Sequence, residues 1–335
     1  MPQIPTDIML LNIAAIVVGL AALAWSSDKF IFGASNIAKI LGISPLIIGI
    51  TIVGFGTSAP EILVSAIASF QGKPSLAVGN AIGSNIANIT LVLGITAIII
   101  PVLVKRTILT AEMAVLIAIM FIVLGLMIDN SLSRTNAIVL LLMQIAVLVW
   151  MIRKSKKEKK TLLAETDEEE SNQKTPTSTL KAAIWLIIGL AILLLSSKVL
   201  VWGAENIARE LKIPELVIGL TIVALGTSLP ELAACIAAVR NNHSDIAIGN
   251  ILGSNIFNIL SVLGIAAIIT PINSSDLGND VLSRDFPTMI GTTILLLAFS
   301  FSRGKDGSIS RIKGILFFIA YAVYQFIIIS GNTPT

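Results

Sequence analysis

The sequence predicts an all-α membrane protein of about ten transmembrane helices, arranged as two inverted five-helix repeats. Three observations lead there. Hydrophobic residues make up 55% of the chain and charged ones only 13%, a balance outside the range of soluble domains. Apolar runs, each about as long as the ~20 residues needed to cross a bilayer, recur along the chain. One block also occurs twice, first as Gly49-Ile-Thr-Ile-Val-Gly-Phe-Gly-Thr-Ser-Ala-Pro-Glu61 and again as Gly219-Leu-Thr-Ile-Val-Ala-Leu-Gly-Thr-Ser-Leu-Pro-Glu231. The copies lead in step into Gly79-Asn-Ala-Ile-Gly-Ser-Asn-Ile-Ala-Asn88 and Gly249-Asn-Ile-Leu-Gly-Ser-Asn-Ile-Phe-Asn258, a constant offset of 170 positions. The alignment runs without a gap from Gly19/Gly189 to Pro101/Pro271, which marks a duplicated structural unit.

The first apolar run starts at Ile8 and ends at Trp25-Ser26-Ser27. It lacks basic residues before it and a small-residue cleavage pattern after it, so it reads as a span and not as a removable signal peptide. Further runs lie near 44–70, 76–100, 108–128, 136–152, 182–203, 214–239, 245–270, 286–302 and 312–330. All are continuous rather than alternating, which excludes the strands of a barrel and leaves helices. The chain thus divides into a first repeat (1–152), a charged linker (153–181) and a second repeat (182–335). Trp25, Trp150, Trp185 and Trp202 fall near predicted span ends, as interfacial anchors do.

The linker opens with Arg153-Lys-Ser-Lys-Lys-Glu-Lys-Lys160 and continues with the acidic stretch Glu165–Glu170, a composition that reads as solvated and flexible. Its basic residues follow the fifth span directly and place that end in the cytoplasm, so both termini are expected outside. Loops alternating from this assignment put Lys29, Lys39, Lys105, Arg106, Arg240, Arg303, Lys305, Arg311 and Lys313 inside, and leave chiefly Lys73, Arg134, Arg209, Lys212 and Arg284 outside. An odd number of spans per repeat makes the second copy enter from the opposite face, hence the inversion. The expected location is the inner (plasma) membrane, with the lipid bilayer as partner. A net charge of +3 and a single cysteine suggest neither a nucleic-acid surface nor a disulfide framework.

Glu61 and Glu231 lie in the middle of long apolar runs, where a lone ionised carboxylate costs several kcal/mol. The central parts of the spans offer no Arg or Lys at that depth apart from Lys198 near the end of the sixth. A cation from solution is the natural counter-charge. Thr57 and Ser58 precede Glu61 by four and three positions and share its helical face, as Thr227 and Ser228 do for Glu231. Ser84 and Asn88, with Ser254 and Asn258, repeat the arrangement at i, i+4. Pro60 and Pro230 cannot donate to the carbonyls of Gly56 and Gly226, which adds main-chain oxygen. An all-oxygen set without thiol or imidazole describes a site for a hard cation such as calcium. Gly79 and Gly83, with Gly249 and Gly253, form a seam for close helix packing; Asn80 and Asn250 read equally as bridges between helices and as ligands.

The doubled Gly-Thr-Ser-x-Pro-Glu and Gly-Asn-x-x-Gly-Ser-Asn-x-x-Asn motifs resemble the two alpha-repeats of the calcium/cation antiporter superfamily, in particular prokaryotic sodium/calcium exchangers. The resemblance implies ten helices, calcium between Glu61 and Glu231, and Thr57, Thr227, Ser58, Ser228, Ser84 and Ser254 in calcium or sodium sites. It also implies alternating access by sliding of the first and sixth helices, with no cofactor. The chain departs from the pattern at Asn258, where sodium-coupled members often carry Asp, so sodium and proton coupling both stand at this point. Two other classes compete. A hydrolase would need a base, but the sole histidine, His243, reads as a solvated loop residue, and Cys235, which replaces Ser65, reads as a packed thiol. A channel would need an oxygen-lined filter, usually a ring from several subunits.

Overall fold

The computed structural model describes residues 6–165, 178–211, 224–274, 276–277, 280–300 and 306–331. Its helices are α1 (Thr6–Leu41), α2 (Pro45–Thr57), α3 (Ala59–Phe70), α4 (Pro74–Ile99), α5 (Arg106–Leu126), α6 (Arg134–Glu165), α7 (Thr179–Glu210), α8 (Ala224–Thr227), α9 (Leu229–Arg240), α10 (Ser244–Ile269), α11 (Val281–Ser300) and α12 (Arg311–Gly331). Helix occurs in every predicted span. The seventh span is described only from Ala224, and its earlier part, near 214–223, lies outside the described residues.

Two expectations are corrected, and the all-α fold gains one small strand pair. α1 continues past Trp25 to Leu41, so Trp25 stands within the helix, where its ring meets Trp185 edge-on at 6.0 Å. The basic half of the linker is not a loose tether: α6 runs unbroken to Glu165, and the acidic stretch beyond it lies mostly outside the described residues. The fold is also not purely helical. β1 (Val102–Lys105) pairs antiparallel with β2 (Asp306–Ile309), with Val102 opposite Ile309. An isolated bridge joins Leu132 to Ile272. These two pairings are equivalents, since Val102 and Ile272 are matched positions of the repeat.

The duplication reappears in local geometry. Both copies break at the serine of Gly-Thr-Ser, where Ser58 (φ −83°, ψ 1°) and Ser228 (φ −89°, ψ 1°) leave the helical region. Proline at the second position of the next helix fits each break, because a first-turn residue has no intrahelical N–H bond to lose. In the first copy the axis bends by 44° there. Both copies also pass into a π-helical turn at the last motif asparagine, over Asn88–Val92 and Asn258–Val262, the kind of widened turn that accumulates at functional sites.

α4 and α10 form the centre: 78% and 89% of their spanning windows are buried, against 22% for α1 and α7. The outer pair, α1 and α7, runs antiparallel along a glycine seam. An added Cβ at Gly19 would lie 2.9 Å from Leu200 Cβ, and one at Gly189 would lie 2.6 Å from the Phe30 nitrogen; Phe30 and Leu200 are matched positions. Gly33 against Leu186 and Gly203 against Ile16 repeat the exchange. Contacts that swap in this way are the signature of a two-fold axis across the helix pair. Small residues let the backbones approach so closely, which is how helices associate where lipid removes any hydrophobic drive between them. Elsewhere Arg240 at the end of α9 pairs with Asp28 of α1, and the buried Glu112 of α5 accepts from Lys154 of α6 at 2.7 Å.

The seam yields a direct test. At Gly33 an added Cβ would lie 2.4 Å from the Leu186 backbone nitrogen, whereas at Gly125 it would meet nothing within 4 Å. Gly33→Ala is expected to cost about 1–3 kcal/mol by overpacking, and Gly125→Ala to be neutral or slightly stabilising. Thermal unfolding of both variants in detergent checks the contrast.

Candidate cation site

The two helix breaks carry the acids inward. Glu61 and Glu231 stand in the first turns of α3 and α9, each 1% exposed. A helix N-terminus presents its unpaired N–H groups and positive dipole end, which favours a carboxylate there. The two breaks converge: Thr57, four residues before Glu61, donates to Asn250 Oδ1 at 3.0 Å, Asn250 Nδ2 donates to the Glu231 carbonyl at 3.4 Å, and the two acids are near enough to repel each other. Glu61 Oε2, Glu231 Oε2 and Ser58 Oγ have no hydrogen-bond partner among the described residues. Neither acid takes part in any of the ion pairs found there.

The remaining predicted residues surround this pair. Thr57 is fully buried and donates to Asn250 Oδ1 at 3.0 Å, with Ser254 Oγ at 3.4 Å. Ser254 also reaches the Gly54 carbonyl at 3.5 Å. Ser84 donates to Asn80 Oδ1 at 3.4 Å, and Thr227 and Ser228 line a small cavity with Asn80 and Ser84. Asn88 donates to Asn255 Oδ1 at 3.0 Å; its own Oδ1 and both polar atoms of the buried Asn258 have no partner among the described residues. The donor set is oxygen and amide throughout, and no group of three or more His, Cys, Asp or Glu occurs among the described residues, which fits a hard cation better than zinc or copper.

Asn80 and Asn250 act as bridges between helices. Asn80 Nδ2 donates to the Glu61 carbonyl at 3.2 Å and to Ser65 Oγ at 2.9 Å; Asn250 Nδ2 donates to the Glu231 carbonyl and to Cys235 Sγ, both at 3.4 Å. Each amide ties the backbone of its own glutamate to the neighbouring helix. Cys235 is thereby a packed acceptor, as expected. The carbonyl freed by Pro230 does not remain open, because Ser197 of α7 donates to Gly226 O at 3.0 Å. His243 is half-buried rather than solvated, and burial together with nearby Lys39 holds its imidazole below the usual value, so it stays neutral near pH 7.

Motif spacing did not single out Asn85 and Asn255. They sit at matched positions and bond reciprocally, Asn85 Nδ2 to Asn255 O at 3.2 Å and Asn255 Nδ2 to Asn85 O at 3.5 Å, fastening α4 to α10 at the symmetry axis. Their identity in both copies was the available signal. Tyr321 and Gln325 of α12, which line the cavity, carried none, because the duplicated motifs stop well before them.

A duplicated helical membrane protein with paired acids at two central helix breaks falls in the class of secondary transporters. The sequence profile of the family described as "Sodium/calcium exchanger protein" matches residues 11–153 and 181–330, and the chain belongs to that family. Among its relatives, Inner membrane protein YrbG of Escherichia coli is 38% identical over 299 residues, covering 89% of this chain and 91% of that one. Sodium/calcium exchanger MaX1 of Methanosarcina acetivorans is 31% identical over 352 residues, covering 95% and 99%. A solved structure of the sodium-calcium exchanger NCX_Mj, soaked with zero Na+ and Ca2+, superposes with a TM-score of 0.79 at 33% identity over 94% of this chain and 97% of that one.

The asparagine pair can be tested by a double-mutant cycle. Asn85→Leu and Asn255→Leu are each expected to lower the melting temperature, and together by less than their sum, with a coupling energy of roughly 1 kcal/mol. Strict additivity would remove the reciprocal bond.

Proposed function

We propose that this chain exchanges calcium for sodium across the plasma membrane by alternating access, with the two halves acting as inverted five-helix units. The observation that carries the reading is the convergence of Glu61 and Glu231, without a basic partner among the described residues, in a member of the exchanger family. Calcium is held between the two carboxylates. Thr57, Ser58, Ser84, Thr227, Ser228 and Ser254 supply further oxygens to calcium or sodium, and Asn88 and Asn258 close the site with neutral amides. Empty, the acids repel each other and the apolar surroundings disfavour movement of a charged pocket. One divalent ion, or competing monovalent ions, neutralises the pair and permits the transition. Coupling arises because the same oxygens cannot serve both loads. The termini lie outside and the linker in the cytoplasm. Membrane lipid is the only partner the reading needs, and no cofactor takes part.

Sodium coupling is favoured over proton coupling by the exchangers among the relatives. The neutral Asn258 leaves two formal negative charges, enough for one calcium ion. Calcium uptake into proteoliposomes is expected under an outward sodium gradient and not under a pH gradient alone. Glu61→Gln and Glu231→Gln are each expected to reduce it at least a hundredfold, the order lost when a buried charge goes unmatched. Uptake that survives both changes together would overturn the assignment.

A further inference from the structure

The two copies of the motif differ locally in exposure. At Gly249 and Gly253 an added Cβ would lie 2.4 Å and 2.2 Å from the carbonyl oxygens of Leu46 and Ile50; at Gly79 and Gly83 it would meet nothing within 4 Å among the described residues, which do not include positions 216 and 220, the equivalents of Leu46 and Ile50. Thr57 is fully buried against Asn250, while its equivalent Thr227 lines a cavity. That cavity, of about 100 Å³, has Asn80 and Ser84 of α4 on one side and Thr227 and Ser228 on another. Its lining also includes Tyr321 and Gln325 of α12, which stand one helical turn apart. At roughly 30 Å³ per water molecule the space holds a cation with part of its hydration shell.

α6 has a counterpart to this wall. Leu132 and Ile309 hold equivalent places in the two strand pairings, and Ala137 and Gly314 hold equivalent places against Gly264 and Gly94. The same register (309 against 132, 314 against 137) brings Tyr321 onto Gln144. Gln144 is 5% exposed; its Oε1 accepts from Ser261 of α10 at 3.3 Å and its Nε2 has no partner among the described residues. A buried amide left half-satisfied is costly in a packed interior.

We propose that Tyr321 and Gln325 form an access subsite on the cavity side, where neutral oxygens replace part of the hydration shell before the cation reaches Glu61 and Glu231. Gln144 is the corresponding residue for the opposite face, covered in the present arrangement. These are positioning residues that set affinity from one side only. The inference rests on the exchange reading above and adds to it which residues meet the ion first on each face.

The test is calcium-dependent exchange in proteoliposomes of known orientation, with half-saturation measured separately at each face for the wild type, Tyr321→Phe, Gln325→Leu and Gln144→Leu. Tyr321→Phe keeps the ring and removes one oxygen, so it reports even if Gln325→Leu fails to fold. Tyr321→Phe and Gln325→Leu are expected to raise half-saturating calcium about fivefold to tenfold at the cavity face alone, with maximal rate and the other face unchanged. Gln144→Leu is expected to do the reverse. Equal shifts at both faces, a loss of maximal rate alone, or no shift in Tyr321→Phe would overturn the proposal. A wild type that exchanges no calcium for sodium would instead overturn the parent reading.

Discussion

Two carboxylates buried in the middle of a membrane-spanning core, beside hydroxyls and amides but no basic side chain of the described chain, are the constraint on which the architecture depends. Holding them there costs several kcal/mol unless their charge is answered. The fold meets part of that cost with backbone geometry. Each acid stands at the start of a helix that begins again after a break, so local N–H groups and the helix dipole face it. Asn80 and Asn250 then fix each break to the adjacent helix through the glutamate's own carbonyl. Among the described residues no basic side chain pairs with either acid, and on the reading proposed above the cargo supplies the missing positive charge.

Bringing two such breaks together requires backbones that approach closely. α10 packs against α2 at Gly249 and Gly253, and Asn85 and Asn255 fasten α4 to α10. α1 and α7 lie outside this centre, with only 22% of their spanning windows buried, joined along a seam of glycines. The rigid and peripheral parts are therefore built differently: polar pairs hold the centre, whereas the outer pair relies on close van der Waals contact. Helices that meet through small residues, with few directional bonds across the seam, are suited to sliding.

Much of this was legible in the sequence because duplication writes each functional position twice. Gly-Thr-Ser-x-Pro-Glu located both acids and, through Pro60 and Pro230, a gap in each hydrogen-bond ladder, although each run read as one span and the breaks themselves emerged from the structure. The apolar runs located the spans. The extent of α1 was not legible, because hydropathy falls at Ser26-Ser27-Asp28-Lys29 while the backbone continues helical. Charge density along 153–160 suggested a loose linker, yet Lys and Glu are good helix formers and α6 continues through them. The strand pair was hidden because its partners lie about two hundred residues apart and each strand is only four residues long. Gln144, Tyr321 and Gln325 were invisible as a group, since the register that relates them is fixed only by packing.

The central claim is that both glutamates serve one ion. Calcium titration of the purified protein in detergent measures this most directly. The account predicts one ion bound per chain, with binding abolished in Glu61→Gln and equally in Glu231→Gln. Two ions per chain, or binding retained at full affinity by either single variant, would contradict it.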